Sequence, residues 1–342
     1  MKKSIALILS LVFVFSAMIG VIPATAEGEA TLEITHAKLE LGNAPYLYFA
    51  VNYSDFGSYE GIQLKVTNKK TNNTHIYEPL TDVEAPEGCV AFKYTAINWQ
   101  EMGDELSVQA MKDGKNCGEA KIYSVLEYAL KAQSLGDAAL SELMVAMLNY
   151  GAAAQNYFSY KAYSLANSGL TAEQKSMASN YTAAMIPASS KADSSKTGIF
   201  ANNGGFSKRI PAVSFGSAFS VEYFFTPAYA PSGDVTMYYW TQADYEAATT
   251  LKPANATGRI QMTANDDGSY HCAITGIAAK DLNETIYVAG GYKSGSTSYC
   301  TGILPYSIGT YCASQVSKSS EAKDLAAATA VYGYYANAYF NC

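Results

Sequence analysis

Side chains alternate along Tyr46–Val51, where Leu47, Phe49 and Val51 are apolar, and Phe219–Phe225 repeats the pattern with Val221, Tyr223 and Phe225. A period of two sends alternate side chains to opposite faces of a strand, so each set is expected to line a core. The next segments repeat the pattern, with Ile62, Leu64 and Val66 in one and Val235, Met237 and Tyr239 in the other. Turns rich in Asn, Gly and Asp (TNKKTNN, KDGKN, NDDGS) separate these short runs. That alternation predicts antiparallel sandwiches of immunoglobulin-like size.

The period then changes. From Leu140 the apolar or small residues fall at 140, 143, 144, 147, 148, 151, 154 and 158, a stripe that only a helix gathers on one face. The preceding YSVLEYALKA predicts a shorter helix, with Gly136 as its stop and Asp137 as the cap of the next. The pair is a helical hairpin, and a second is expected from Tyr306 to about Phe340.

These matches belong to an internal repeat. LELGNAPYLYFAV at Leu39 answers VSFGSAFSVEYFF at Val213, INWQEMGDELSVQA at Ile97 answers IAAKDLNETIYVAG at Ile277, and LNYGAAAQNYF answers VYGYYANAYF, always in the same order. The predicted fold is mostly β with α: two tandem Ig-like antiparallel β-sandwich units, each followed by an α-helical hairpin. The expected boundaries are a signal peptide over 1–26, sandwich 1 over 27–122, hairpin 1 over 123–165, a connector over 166–206, sandwich 2 over 207–305 and hairpin 2 over 306–342. Within the connector, Thr171 and Gln174 stand in capping-box spacing, predicting a helix that ends before Pro187. The polar run 188–198 reads as a flexible linker.

MKKSIALILSLVFVFSAMIGVIPATA has the layout of a cleaved secretory signal, two lysines, an apolar run and a small-residue ending, which places the cut after Ala26. The chain is therefore expected to be secreted, with no membrane insertion after cleavage. The 342 residues carry 23 basic and 30 acidic side chains, a net charge of −7. Without Lys2 and Lys3 the balance is more acidic still, and the remaining basic clusters, Lys69-Lys70 and Lys208-Arg209, are short. Nucleic acid is excluded as a partner on that ground.

In an exported chain cysteines are expected to pair. Cys89 and Cys117 stand 28 apart, as do Cys272 and Cys300, so these two disulfides are predicted. Each would contribute roughly 3 kcal/mol through loop closure. The pairing of Cys312 and Cys342 stays open, because a straight hairpin holds them about 20 Å apart along its axis and a disulfide needs Cα atoms within about 7 Å.

Catalytic signatures are missing. His36, His75 and His271 have no ligand spacing, and the chain contains no HExxH, nucleophile elbow or phosphate loop. No metal, cofactor or catalytic residue is predicted. The exception held open is a carboxylate pair for glycoside hydrolysis, with Glu222, Asp234 and Asp244 as its candidates.

Tyrosine is in excess, 28 residues against two tryptophans. If Val235, Met237 and Tyr239 face inward, Tyr238 and Trp240 face outward, with Phe224 on the neighbouring strand. The first copy has Gln63, Lys65, Thr67 and Ala50 at those places. Phe224, Tyr238 and Trp240 are the predicted ligand contacts, unless the connector or a hairpin covers them.

Tyr123-Ser124-Val125, MLNYGAAAQNYFSY and LANSGLTAEQ together resemble a segment of secreted multidomain surface proteins of clostridia-type Gram-positive bacteria, where it follows strand-rich Ig-like units. The match covers the first unit well, while the second keeps only the frame. The resemblance implies an extracellular, surface-facing role and carries no catalytic residue across. The expected function is extracellular binding or adhesion, non-catalytic, with a glycan or surface protein as partner. The alternatives are a structural spacer of the cell envelope and a carbohydrate-active hydrolase.

Overall fold

The computed structural model describes residues 30–41, 45–161, 164–186, 190–216, 218–318 and 320–341; the expected signal peptide and Cys342 lie outside them. The chain divides into two compact units, residues 1–176 with 338–342, and residues 177–337.

The first unit runs β1 (Glu33–Leu41), β2 (Pro45–Asn52), β3 (Ile62–Asn68), β4 (Thr74–Tyr77), β5 (Cys89–Tyr94), β6 (Leu106–Lys112), β7 (Lys115–Asn116) and β8 (Lys121–Tyr123), then α1 (Val125–Gln133), α2 (Ala138–Tyr157) and α3 (Ala172–Ser176). Its sheets have the orders β1-β2-β5 and β4-β3-β6-β7, with β8 also on β6. The second unit runs β9 (Phe206–Phe215), β10 (Phe219–Pro227), β11 (Thr236–Trp240), α4 (Gln242–Ala247), β12 (Gly258–Gln261), β13 (Thr263–Ala264), β14 (Tyr270–Ile277), β15 (Ile286–Ser294), β16 (Thr297–Cys300) and β17 (Leu304–Tyr306), then α5 (Ile308–Val316) and α6 (Lys323–Phe340). Its sheets are β13-β14-β10-β9 and β12-β11-β15-β16, with β17 on β15. Strand for strand the two units share one antiparallel topology, to which the second adds α4 and β13.

The alternation places the core as expected. Leu47, Phe49, Val51, Val221, Tyr223 and Phe225 are all 2% exposed or less, and Ile62, Leu64, Val66, Val235 and Met237 are fully buried. Tyr239 departs from this and is half-buried. Within each unit the two sheets touch through these side chains: Phe49 on β2 meets Tyr123 on β8 edge-on at 5.6 Å, and Cys272 Sγ on β14 lies 3.5 Å from Met237 Sδ on β11.

Both hairpins dock in the same manner. Ser124 and Ser307 cap α1 and α5 by accepting from the Glu127 and Thr310 amides. Gly136 ends the first helix at φ 82°, and Asp137 caps α2 through the Leu140 amide at 3.0 Å. The Leu126 amide donates to the Met102 carbonyl at 3.0 Å, as the Gly309 amide does to Leu282 at 2.8 Å. Gly151 on α2 leaves no room for a side chain, since an added Cβ would lie 2.8 Å from Met102 Sδ and 3.2 Å from the Trp99 carbonyl. Gly333 on α6 faces Leu282 and the Ala279 carbonyl in the same way. The Tyr-Gly phrase is thus the close-contact point between each long helix and a 3-10 turn of its own sandwich.

The expectation of a connector helix is met, while the flexible linker and the disulfides need correction. The predicted capping box is present, with the Gln174 amide donating to Thr171 Oγ1 at 3.2 Å and the Thr171 amide to Gln174 Oε1 at 2.9 Å. The helix runs Ala172–Ser176 and so ends before Pro187 as expected; the Ser176 hydroxyl bonds back to the Glu173 carbonyl at 2.7 Å, the local competition that makes serine a poor helix continuer. The run expected as a flexible linker is packed, over its described part, on the second unit. The Asp193 amide donates to Tyr245 Oη at 2.7 Å, and the Leu251 amide donates to the Lys196 carbonyl at 2.8 Å; just beyond the run, Phe200 is buried.

The proposed disulfides are absent: Cys89, Cys117, Cys272 and Cys300 are free thiols, as is Cys312. Equal sequence spacing puts the members of each pair on different sheets. Cys89 sits on β5 beside Thr35 Oγ1 at 3.6 Å, and Cys117 follows β7 and reaches the Ala30 carbonyl at 3.8 Å. Cys272 points into the core, whereas Cys300 on β16 lies 3.5 Å from the Ile199 carbonyl. Burial pushes the Cys272 and Cys312 thiols up to about 12.

Candidate functional site: a tyrosine ladder on the second unit

The sequence-predicted trio does not form one surface. Trp240 is fully buried, in a cluster with Phe200, Tyr245, Leu251, Tyr287 and Ala289, against which Tyr238 packs. Tyr238 and Trp240 each lie 5.3 Å from the Phe200 ring, and Trp240 Nε1 donates to Asn255 Oδ1 at 3.3 Å. The outer face of β11 and β15 is aromatic because α4 and the segment before β9 cover it with a second small core. The first unit lacks that cover, so polar Gln63, Lys65 and Thr67 suffice there. Phe224 stands on the other sheet, half-buried, in register with Ile210 and His271.

The carboxylates are also dispersed. Asp234 accepts from Gln261 Nε2 at 2.9 Å, and Asp244 accepts from Thr241 Oγ1 at 3.1 Å and from Thr257 Oγ1. Glu222 belongs to β10, in the sheet to which neither is attached. Among the described residues no group of three or more His, Cys, Asp or Glu side chains is placed to hold a metal ion.

The exposed aromatic feature of the second unit lies elsewhere. β15 and β16 form a hairpin over Gly295-Ser296, with Gly295 at φ 58°, the left-handed geometry that a tight hairpin turn takes most easily at glycine. Its register sets Tyr292 opposite Tyr299, on the same face. Tyr299 stacks on Tyr292 at 5.3 Å and 24°, and on Tyr229 at 4.8 Å and 27°. Burial decreases along the series, from Tyr292 at 5% exposed to Tyr229 at 54%.

Hydrogen bonds hold this ladder in place. Tyr292 Oη donates to the Gly205 carbonyl at 2.6 Å and accepts from the Tyr229 amide at 3.1 Å, tying the loop of Tyr229 to the strand end before β9. Burial raises the Tyr292 phenol above its ordinary value, which keeps it a neutral donor. Asn203 brackets Tyr299: its Nδ2 donates to the Ser298 carbonyl and its Oδ1 accepts from the Cys300 amide, both at 2.9 Å. Gly205 is obligatory, since an added Cβ would stand 2.3 Å from Tyr299 Cβ. The Ser232 amide fastens the far side of the loop to the Lys293 carbonyl at 2.8 Å.

Sequence reasoning passed over these tyrosines because they belong to turns and an edge strand. The signal was in GGYKSGSTSYC, whose two tyrosines flank a Gly-containing turn at equal distance, and in the tyrosine excess itself.

Fold and site together define a mostly antiparallel β protein with helical hairpins and a fixed, exposed aromatic platform. No protein-family model matches the sequence, and no curated protein matches it. Among solved structures it is similar to a Br derivative of BhCBM56, at 14% identity and a TM-score of 0.21, over 30% of this chain and 99% of that one. It is also similar to the pullulanase of Anoxybacillus sp. LM18-11, at 8% identity and a TM-score of 0.19, over 77% of this chain and 25% of that one. The group B Streptococcus pullulanase SAP gives 11% identity and a TM-score of 0.15, over 78% and 23%. The chain thus spans about a quarter of each pullulanase, and similarities this low transfer no ligand or activity. Among the described residues no helix is long and apolar enough to cross a membrane.

Proposed function

We propose that this chain is an exported, non-catalytic binding protein of the surface-protein class its helical hairpin resembles, and that the tyrosine ladder is its ligand contact. The supporting observation is Tyr229, half exposed yet stacked on Tyr299 at 4.8 Å within a hydrogen-bonded frame. An aromatic ring already fixed in the free protein binds with little further loss of side-chain entropy, which is the cost that weakens contacts made by mobile surface residues. The partner is a glycan or a surface protein.

The test is a glycan array and a surface-protein array, both probed with the mature chain and its Tyr229→Ala variant. Ligands bound by the wild type and lost by the variant support the reading. Ligands bound equally by both contradict the ladder, and a complete absence of ligands favours an envelope spacer.

A further inference from the structure

Taking the tyrosine ladder as the contact surface, we infer that its ligand is a neutral pyranoside chain, one sugar of which lies flat on Tyr229, and not a protein. The surroundings of the ring carry this choice. A stable protein interface buries about 800 Å² on each partner around an apolar core. Beside Tyr229 the loop instead offers exposed Ala228, Ala230, Ser232 and Gly233, and across the Tyr292 hydroxyl lie Asn202 and Gly204, also exposed. One large ring in a polar, small-residue setting is too narrow for an interface core but matches the footprint of one pyranose.

The ring's chemistry agrees. One face of Tyr229 is covered by Tyr299, so its remaining exposure lies on the opposite face and the edges. A flat aromatic face attracts the slightly positive C–H groups that line one side of a pyranose ring. The Tyr229 and Tyr299 hydroxyls, which make no hydrogen bond with the described residues, are left for sugar hydroxyls. One stacked sugar gives weak affinity at a single site, so retention is expected to grow with the number of sugars per ligand chain.

The experiment is affinity electrophoresis of the mature chain through gels containing soluble starch, xylan, galactomannan or mixed-linkage β-glucan. A parallel binding assay uses surface proteins before and after enzymatic deglycosylation. At least one neutral polysaccharide should retard the wild type, Tyr229→Ala should bind about three- to tenfold more weakly, and Tyr229→Phe, which keeps the ring and loses the hydroxyl, should fall between the two. Tyr229-dependent binding confined to deglycosylated protein would overturn the ligand class while leaving the binding surface intact. Polysaccharide binding unchanged in Tyr229→Ala would overturn the surface itself, and failure of all four polysaccharides to retard the wild type would overturn the inference.

Discussion

Gln155 Nε2, on the long helix of the first hairpin, donates to the Gln100 carbonyl at 2.9 Å, and Asn337 Nδ2 does the same to the Lys280 carbonyl in the second unit at 2.9 Å. The two helices therefore clamp their own sandwiches at equivalent points with different side chains. Gln155 also accepts from the Ala166 amide at 2.7 Å and is 1% exposed. Gln155→Ala strands the buried Ala166 amide and the part-buried Gln100 carbonyl and is expected to cost about 2–3 kcal/mol. Asn337→Ala exposes its partner to water and is expected to cost less than about 1 kcal/mol. Urea denaturation of both variants checks the difference.

Gly151→Ala tests the close approach. In an open helix the change stabilises by about 1 kcal/mol. Here the added carbon meets Met102, Ala166 and the Trp99 carbonyl at 2.8, 3.0 and 3.2 Å. Overpacking of this kind costs about 1–3 kcal/mol, so the variant is expected to be less stable than the wild type. Gly333→Ala, with its nearest contacts at 3.0 and 3.2 Å from the single side chain of Leu282, is expected to be milder.

Trp240→Ala separates structure from binding. The ring is fully buried under Phe200 and Tyr245, so its loss is expected to cost about 3–5 kcal/mol. The chain's other tryptophan, Trp99, is in the first unit. Its fluorescence follows the first unit, and circular dichroism read beside it should show the second unit melting earlier than in the wild type.

The copies differ most where prediction and structure part. Period-two runs and the three-four stripe placed the core residues and both hairpins, because burial on one face leaves its period in the sequence. Tyr238 and Trp240 look outward by that same period, and they do. The period does not report a second layer, which here comes from α4 and from a polar run in which the Asp193 amide and Lys196 Nζ hold Tyr245 and the Lys196 carbonyl accepts from the Leu251 amide. The cysteine spacing failed for a related reason: a count along the chain does not fix which sheet each residue joins. Tyr229 and Tyr299 were illegible because their stacking is set by a turn, an edge-strand register and one glycine, none of which has a period.

Acidity provides a further check. Burial raises the Glu101 carboxyl above its ordinary value, the amide it accepts from at Asn98 opposes this, and the Asp104 charge reinforces it. The fold thus favours the protonated form. That stability is fully present below the unfolded carboxyl value of about 4.3 and is lost as pH rises through the raised folded value. Glu101→Gln keeps an acceptor for the Asn98 amide and removes the charge. Denaturation at two pH values should find the variant more stable than the wild type at pH 7, with the gap closing near pH 4.

The most direct measurement compares Tyr229→Ala with Phe224→Ala, titrated against the polysaccharide that binds the wild type best. Both residues belong to the second unit. Only Tyr229 is more than half exposed; Phe224 is half-buried on the opposite sheet. The ladder account predicts at least a threefold loss of affinity for Tyr229→Ala and less than a twofold change for Phe224→Ala. The reverse order, with Phe224→Ala losing affinity and Tyr229→Ala retaining it, would contradict the account.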